Sequence, residues 1–289
     1  MLKHLLKTMR LRQWTKNGFV FFALVFDKQL FLREPFVKTL EGFFLFCLIS
    51  SSVYLFNDIT DIEADRSHPE KKHRPLASGK LPVNVALITA FVLALTSFVL
   101  GYLLEPFFAG IVALYFFINL LYSRWLKHVP ILDVLIISSG FVFRVAAGVM
   151  LITVERFSPW LYMLTILFSL YIGFGKRRAE MNLLAQSAAS HRKVLDGYSI
   201  PLLDQYITIV SGMTIIAYSF YTFSAPNLPE NHTMMLTIPF VVYGIFRYLQ
   251  LIQTGNAAGA PDEVALKDRP LQVTVLLWGL AVIAVFYLS

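Results

Sequence analysis

A chain of 289 residues that is 57% hydrophobic and only 15% charged is too apolar for a soluble domain with a large core, and reads as an integral membrane protein. Its formal net charge of +7 is dispersed among short segments beside apolar runs, which excludes nucleic acid as the partner and points to anionic lipid head groups and phosphate substrates. The single cysteine, Cys47, lies inside an apolar run and excludes a disulfide framework.

In chain order, Met1 to Lys16 carries five Lys and Arg and leads into an apolar run without a small-residue cleavage site. It reads as a retained cytosolic amphipathic segment, not a signal peptide. Apolar runs of membrane-crossing length follow at residues 15–33, 37–57, 83–103, 106–122, 131–151, 159–175, 203–223, 234–252 and 270–288. The expected fold is all-α, an integral membrane bundle of about nine transmembrane helices forming one domain over residues 1–289. The first span is the weakest, because Asp27 and Lys28 interrupt it. With the N-terminus in the cytosol, 19 of the 25 Lys and Arg fall on the inner side, which sets the C-terminus outside. Two long cytosolic loops, residues 58–82 and 176–202, each precede a span hairpin. Their matched layout predicts two halves facing each other across a cytosol-facing cavity.

The first of these loops carries the chemistry. It reads Asn57-Asp58-Ile59-Thr60-Asp61-Ile62-Glu63-Ala64-Asp65-Arg66 and then His73-Arg74-Pro75-Leu76-Ala77-Ser78-Gly79. If the preceding helix continues at about 100° per residue, Asn57, Asp58, Asp61 and Asp65 share an arc of about 100°, while Glu63 falls on the opposite side. Converging carboxylates repel unless a cation joins them, and hard oxygens that leave positions open for phosphate suit magnesium. The stretch is thus a candidate magnesium-diphosphate site with Asp58, Asp61 and Asp65 as ligands and Asn57 in support. A solvated acidic helix end is the bland alternative, which Ile59 and Ile62 framing the acidic face disfavour.

This pattern after the second span, with the Arg-Pro-Leu-Ala-Ser-Gly run behind it, resembles the UbiA superfamily of membrane-embedded transferases. The second long loop opens Gly173-Phe174-Gly175-Lys176-Arg177-Arg178 and later reads His191-Arg192-Lys193-Val194-Leu195-Asp196-Gly197-Tyr198. Prenyl-transferring members of the superfamily carry a second aspartate-rich motif here, around a second metal. This chain departs from that: Glu180 and Asp196 are the only carboxylates, with Asp204 opening the next span, beside five Lys and Arg. Few carboxylates among many cations suit an additional phosphate.

The departure resembles the decaprenyl-phosphate phosphoribosyltransferase branch. So do Arg12-Gln13-Trp14-Thr15-Lys16-Asn17, Tyr122-Ser123 with Leu126-Lys127-His128, Ser139-Gly140-Phe141 through Arg144 to Gly148, and Gly175-Lys176-Arg177. The resemblance implies transfer of 5-phosphoribose from phosphoribosyl pyrophosphate to a polyprenyl phosphate, with Mg2+, at the cytosolic face of a bacterial inner membrane. It assigns Asp58 and Asp61 to catalysis, and Lys16, Arg74, Tyr122, Lys127, Lys176, Arg177, Arg192 and Tyr198 to substrate binding.

Each cation has a plainer role to set beside this one. Lys176, Arg177 and Arg178 would also satisfy the positive-inside rule, and Lys176 is spaced to pair with Glu180. Arg12 and Lys16 suit an arriving lipid head group or an interfacial anchor equally. Tyr198 and Asp196 could meet ribose hydroxyls or cap the next span. Arg144, about 20 Å into its span by helical rise, reads as structural. A prenyltransferase joining a prenyl diphosphate to an aromatic acceptor is the alternative function, and a transporter the second. The former calls for the missing second acidic motif, and the latter for carboxylates near the bilayer midplane.

Overall fold

The computed structural model describes residues 1–67, 71–154, 158–186, 193–226, 228–254 and 268–288, and the described chain is helical throughout, without strands. Helix α1 (Leu2–Thr8) leads into a 3-10 helix (Leu11–Phe21) and the short α2 (Phe22–Phe26). Then come α3 (Arg33–Thr60), α4 (Ile62–Ser67), α5 (Val83–Leu104), α6 (Pro106–Arg124) and α7 (Leu132–Leu151). The remainder is α8 (Pro159–Gln186), α9 (Ile200–Ser224), α10 (Ile238–Gln253) and α11 (Arg269–Leu288). Seven helical stretches among the described residues are long and apolar enough to cross a membrane: α3, α5, α6, α7, α9, Thr233–Gln253 and α11.

Two of the nine expected spans take another form. The run 15–33 is not one helix: the 3-10 segment passes into a five-residue α-helix, and Lys28 beyond it has a φ of 58°. The run 159–175 opens α8, which continues for 11 further residues through Lys176-Arg177-Arg178 to Gln186. The start of the expected second loop is therefore helix, because Lys, Arg, Ala, Glu, Met and Leu all favour the α conformation.

The chain forms two compact units. The first comprises residues 1–25, 29–136 and 140–154, and the second holds the rest. In the first, α5 buries Ala86, Ala90, Ala94, Ser97 and Gly101 along one stripe and leaves Leu87, Ile88, Phe91, Val92 and Leu95 exposed. Small residues at a helix interface let backbones approach closely, as lipid-embedded packing requires. Against that stripe, the Ser52 hydroxyl of α3 donates to the Ala90 carbonyl at 2.7 Å and Ser97 donates to Leu45 at 2.8 Å. The core beneath is aromatic and branched, built from Val20, Phe46, Ile49, Val53, Phe108, Tyr115 and Phe116. Gly148 of α7 meets the 3-10 segment so closely that a β-carbon there would lie 2.0 Å from the Val20 carbonyl oxygen. Since that oxygen is backbone, Gly148→Ala should destabilise the protein by about 2 kcal/mol or more, read as a lower melting temperature in detergent. An unchanged melt would refute the close approach.

In the second unit α8 packs on α9, and α10 on α11. Arg247 of α10 grips Asp268 at 2.8 and 3.2 Å, and Asp268 also accepts the Leu271 N–H at 2.9 Å at the start of α11.

Candidate active site

The end of α3 determines the site. Its regular bonding stops at Asp61 (φ −95°, ψ 5°), yet the Asp61 N–H still reaches the Asn57 carbonyl at 3.0 Å, and the Asp65 N–H reaches the Asp61 carbonyl at 2.7 Å. The interruption is too small to rotate α4 away, so Asp58 and Asp65 stay on a common side. Both are buried, at 3% and 4% exposure. One nitrogen of Arg74, Nη1, donates to both, at 3.2 Å to Asp58 Oδ1 and 2.8 Å to Asp65 Oδ2. Glu63 points elsewhere: its side chain is 85% exposed and pairs with Arg66 at 2.8 Å.

Arg74 is delivered by the run that follows it. Pro75 to Gly79 folds into turns in which Ser78 N–H bonds the Arg74 carbonyl at 2.9 Å and Leu81 N–H bonds the Pro75 carbonyl at 3.0 Å. Gly79 sits at φ 72°, a region open to glycine at little cost. These turns bury Leu76 and Leu81 against Met9, Leu55, Ala86 and Ala90. The apolar anchor fixes the loop, and the loop fixes the guanidinium.

Two more cations complete the arrangement. Lys127, from the 3-10 turn Leu126–His128 after α6, pairs with Asp61. Arg10 donates from Nη2 to Asp58 Oδ1 at 2.7 Å and lies over the Tyr54 ring at 4.8 Å. Sequence reasoning weighed Arg12 and Lys16 and missed Arg10. Its φ of 54° and ψ of 51° turn the chain between α1 and the 3-10 segment, and no periodicity announces such a turn.

Every carboxylate of the acidic face thus meets a cation. Among the described residues no three His, Cys, Asp or Glu lie close enough to hold a metal ion by themselves. Even so, Asp58 and Asp65 converge on one cationic nitrogen, as two hard oxygen donors around a single point. Magnesium is commonly held by one or two carboxylates with phosphate oxygens filling its remaining positions, so the donor set fits.

The other expected residues fall as follows. Asn57 is half-buried beside Asp58, Lys16 is half-buried in the 3-10 segment, and Tyr122 is half-buried near the end of α6. In the second unit Lys176 is half-buried within α8. Arg177 is fully buried and pairs with Glu180 at 2.6 Å within α8, so this guanidinium is not on a solvent-facing loop. Arg178 binds Asp204 at 2.5 Å and the Ile252 carbonyl at 2.9 Å. Tyr198 is buried just after the 3-10 turn Lys193–Gly197. Arg192 lies outside the described residues.

The pattern of the UbiA prenyltransferase family matches residues 19–266. The chain is 35% identical over 298 residues to the decaprenyl-phosphate phosphoribosyltransferase of Mycolicibacterium smegmatis, covering 99% of this chain and 93% of that one. It is 33% identical over 294 residues to the protein of the same name from Corynebacterium glutamicum, covering 98% and 87%. The solved UbiA homolog from Archaeoglobus fulgidus bound to DMAPP and Mg2+ superposes with a TM-score of 0.72 at 15% identity, over 99% of both chains, and shares the fold.

Proposed function

Because the chain belongs to the UbiA prenyltransferase family, we propose that this integral membrane enzyme transfers 5-phosphoribose from phosphoribosyl pyrophosphate to a polyprenyl phosphate, releasing pyrophosphate. Relatives bearing that activity in their names, at 33–35% identity over nearly the whole chain, support it. The carrying observation is the treatment of carboxylates. In the first unit Asp58, Asp61 and Asp65 cluster with cations. In the second, among the described residues, Glu180 and Asp204 are each paired with an arginine, which leaves Asp196 as the remaining carboxylate of the expected second loop.

Asp58, Asp61 and Asp65, with Asn57 beside them, would hold magnesium, which when bound withdraws charge from the diphosphate and favours its departure. Arg10, Arg74 and Lys127 exchange carboxylate partners for diphosphate oxygens and stabilise the charge that grows on the leaving pyrophosphate. The bond from the anomeric carbon to the diphosphate lengthens, positive charge develops on the ribose, and the polyprenyl phosphate oxygen attacks from the opposite face. That oxygen needs no general base, because a phosphate monoester with a second pKa of about 6 is already ionised at neutral pH. The polyprenyl tail runs along the lipid-facing helices, and the site opens to the cytosol at the plasma membrane, a reading supported by the preference of Lys- and Arg-rich segments for the inner side.

The test offers purified protein with magnesium two mixtures: phosphoribosyl pyrophosphate with a polyprenyl phosphate, and a prenyl diphosphate with an aromatic acid. Lipid products are read by mass. Product is expected from the first alone; prenylated aromatic acid from the second, with nothing from the first, would overturn the donor assignment.

The site also sets a pH dependence. Burial pushes the Asp65 carboxyl above the ordinary carboxylate value, and Arg74 offsets this only in part. A folded pKa above the unfolded one means that the folded protein holds the proton more tightly. The ionised form therefore costs stability at higher pH, and that cost declines as pH falls below the folded value and is gone below the unfolded one. Turnover needs the ionised form and has the opposite sign. The acid limb of kcat/KM for the donor should lie above the usual carboxylate range; a limb at or below that range would count against Asp65 as a ligand.

A further inference from the structure

We infer that Arg144, deep in α7, is a positioning residue for the diphosphate end of the site, acting through Asn17 and the 3-10 segment upon Arg10. The residues of α3 that face this segment are Cys47, Ser50, Ser51, Tyr54 and Asp58, spaced so that they form one stripe along the helix. Each has a partner among residues 10–17. The Asn17 amide Nδ2 donates to Cys47 Sγ at 3.1 Å and Ser50 Oγ at 3.2 Å. Trp14 Nε1 donates to Ser51 Oγ at 3.0 Å, and that hydroxyl donates to the Met9 carbonyl at 3.2 Å. Tyr54 reaches Gln13 at 3.4 Å, and the final rung is Arg10 on Asp58 at 2.7 Å.

The two rails match in length. Seven residues from Asn17 to Arg10 at the 3-10 rise of about 2.0 Å span about 14 Å, and eight from Ser50 to Asp58 at about 1.5 Å span about 12 Å. A slip of one residue in the 3-10 rail would carry Arg10 about 2 Å further from its carboxylate, outside hydrogen-bonding reach.

Arg144 fixes the register from the far end. It is 5% exposed and donates from Nε to Asn17 Oδ1 at 2.7 Å, from Nη1 to the Gly140 carbonyl at 2.6 Å and from Nη2 to the Tyr115 hydroxyl at 3.5 Å. Phe46, Tyr115 and Phe141 surround its guanidinium at 5.3, 5.3 and 5.7 Å. All these partners are neutral. A cation inside a span with no carboxylate partner among the described residues is expensive, and its positional effect is specific: taking up Oδ1 forces the Asn17 amide nitrogen toward α3.

The inference rests on the acidic motif binding diphosphate but not on which donor supplies it, so the probe is magnesium pyrophosphate, the leaving group of either donor. Its binding is measured by calorimetry on the full chain in detergent, for Arg10→Ala, Arg144→Met, Asn17→Ala and the two doubles with Arg10→Ala. Each single should weaken binding about tenfold or more. Each double should fall no more than about twofold below Arg10→Ala, because the upstream residues act through Arg10. Losses in the doubles that multiply, or an Arg144→Met protein binding like wild type, would overturn the assignment. If Arg144→Met does not fold, the Asn17→Ala cycle decides by the same criterion. Ligand-free hydrogen exchange supplies the readout a general weakening would not give: Arg144→Met or Asn17→Ala should speed exchange over residues 10–17 while leaving α5 protected. Uniform acceleration would refute positioning. Variants that exchange as described, beside a wild type that does not bind magnesium pyrophosphate, would refute the diphosphate reading and leave the coupling standing.

Discussion

Replacing Asp58 with Asn should remove turnover, on the order of a thousandfold or more, whereas Glu63→Gln should leave it close to wild type. Asp58 Oδ1 receives both Arg10 and Arg74 while 3% exposed. An amide in its place keeps the shape and loses the charge, so two guanidiniums face a neutral oxygen and the oxygen donors for a divalent cation are weakened together. Asp61→Asn should behave alike, freeing Lys127. Glu63 is only two residues from Asp65 in the chain but points to solvent, paired with Arg66, and an exposed pair of this kind contributes little. The assay is initial rate at saturating donor, beside a melting curve showing that each variant is folded. Equal loss from Glu63→Gln would end the one-face argument.

Arg74→Ala should unsettle the empty protein and, unusually, make magnesium a better stabiliser. Without that guanidinium Asp65 loses the ion pair it makes among the described residues, and Asp58 keeps only Arg10. Two buried carboxylates that shared one cation then repel each other, at a cost on the order of 2–3 kcal/mol in melting experiments. A divalent ion can take the position the arginine vacates. The melting temperature of Arg74→Ala should therefore rise more with added magnesium than that of wild type, while its donor KM rises as well. A magnesium shift no larger than wild type's would mean that the carboxylates do not converge on a cation site.

Much of this was legible in residue order. The apolar runs at 83–103, 106–122 and 131–151 end close to α5, α6 and α7, because Pro82 and Pro106 mark helix starts and charged or polar residues close the runs. The shared face of Asp58 and Asp65 follows from helical geometry, which a small interruption at Asp61 does not undo. What could not be read was tertiary. Residues 15–33 are apolar enough for a span, but their first part, to Phe21, packs as a 3-10 rail on α3, whose polar stripe requires a partner that composition does not specify. Beyond Gly175 the charges resembled a loop. A helical signal is present at i, i+3: Arg177 and Glu180 pair within α8.

The serine-rich stripe of α3 bears on how the protein is made. A helix carrying Ser50, Ser51, Tyr54 and Asp58 down one side is a poor candidate to sit alone among acyl chains. Its complementary rail, residues 9–17, is synthesised first and leaves the ribosome ahead of it, so the pair can close as soon as α3 emerges and before α5 exists. Translocation machinery would then receive a pre-satisfied unit. Ribosome-stalled chains ending shortly after α3 should already protect the N-terminal rail from protease, long before the enzyme is complete.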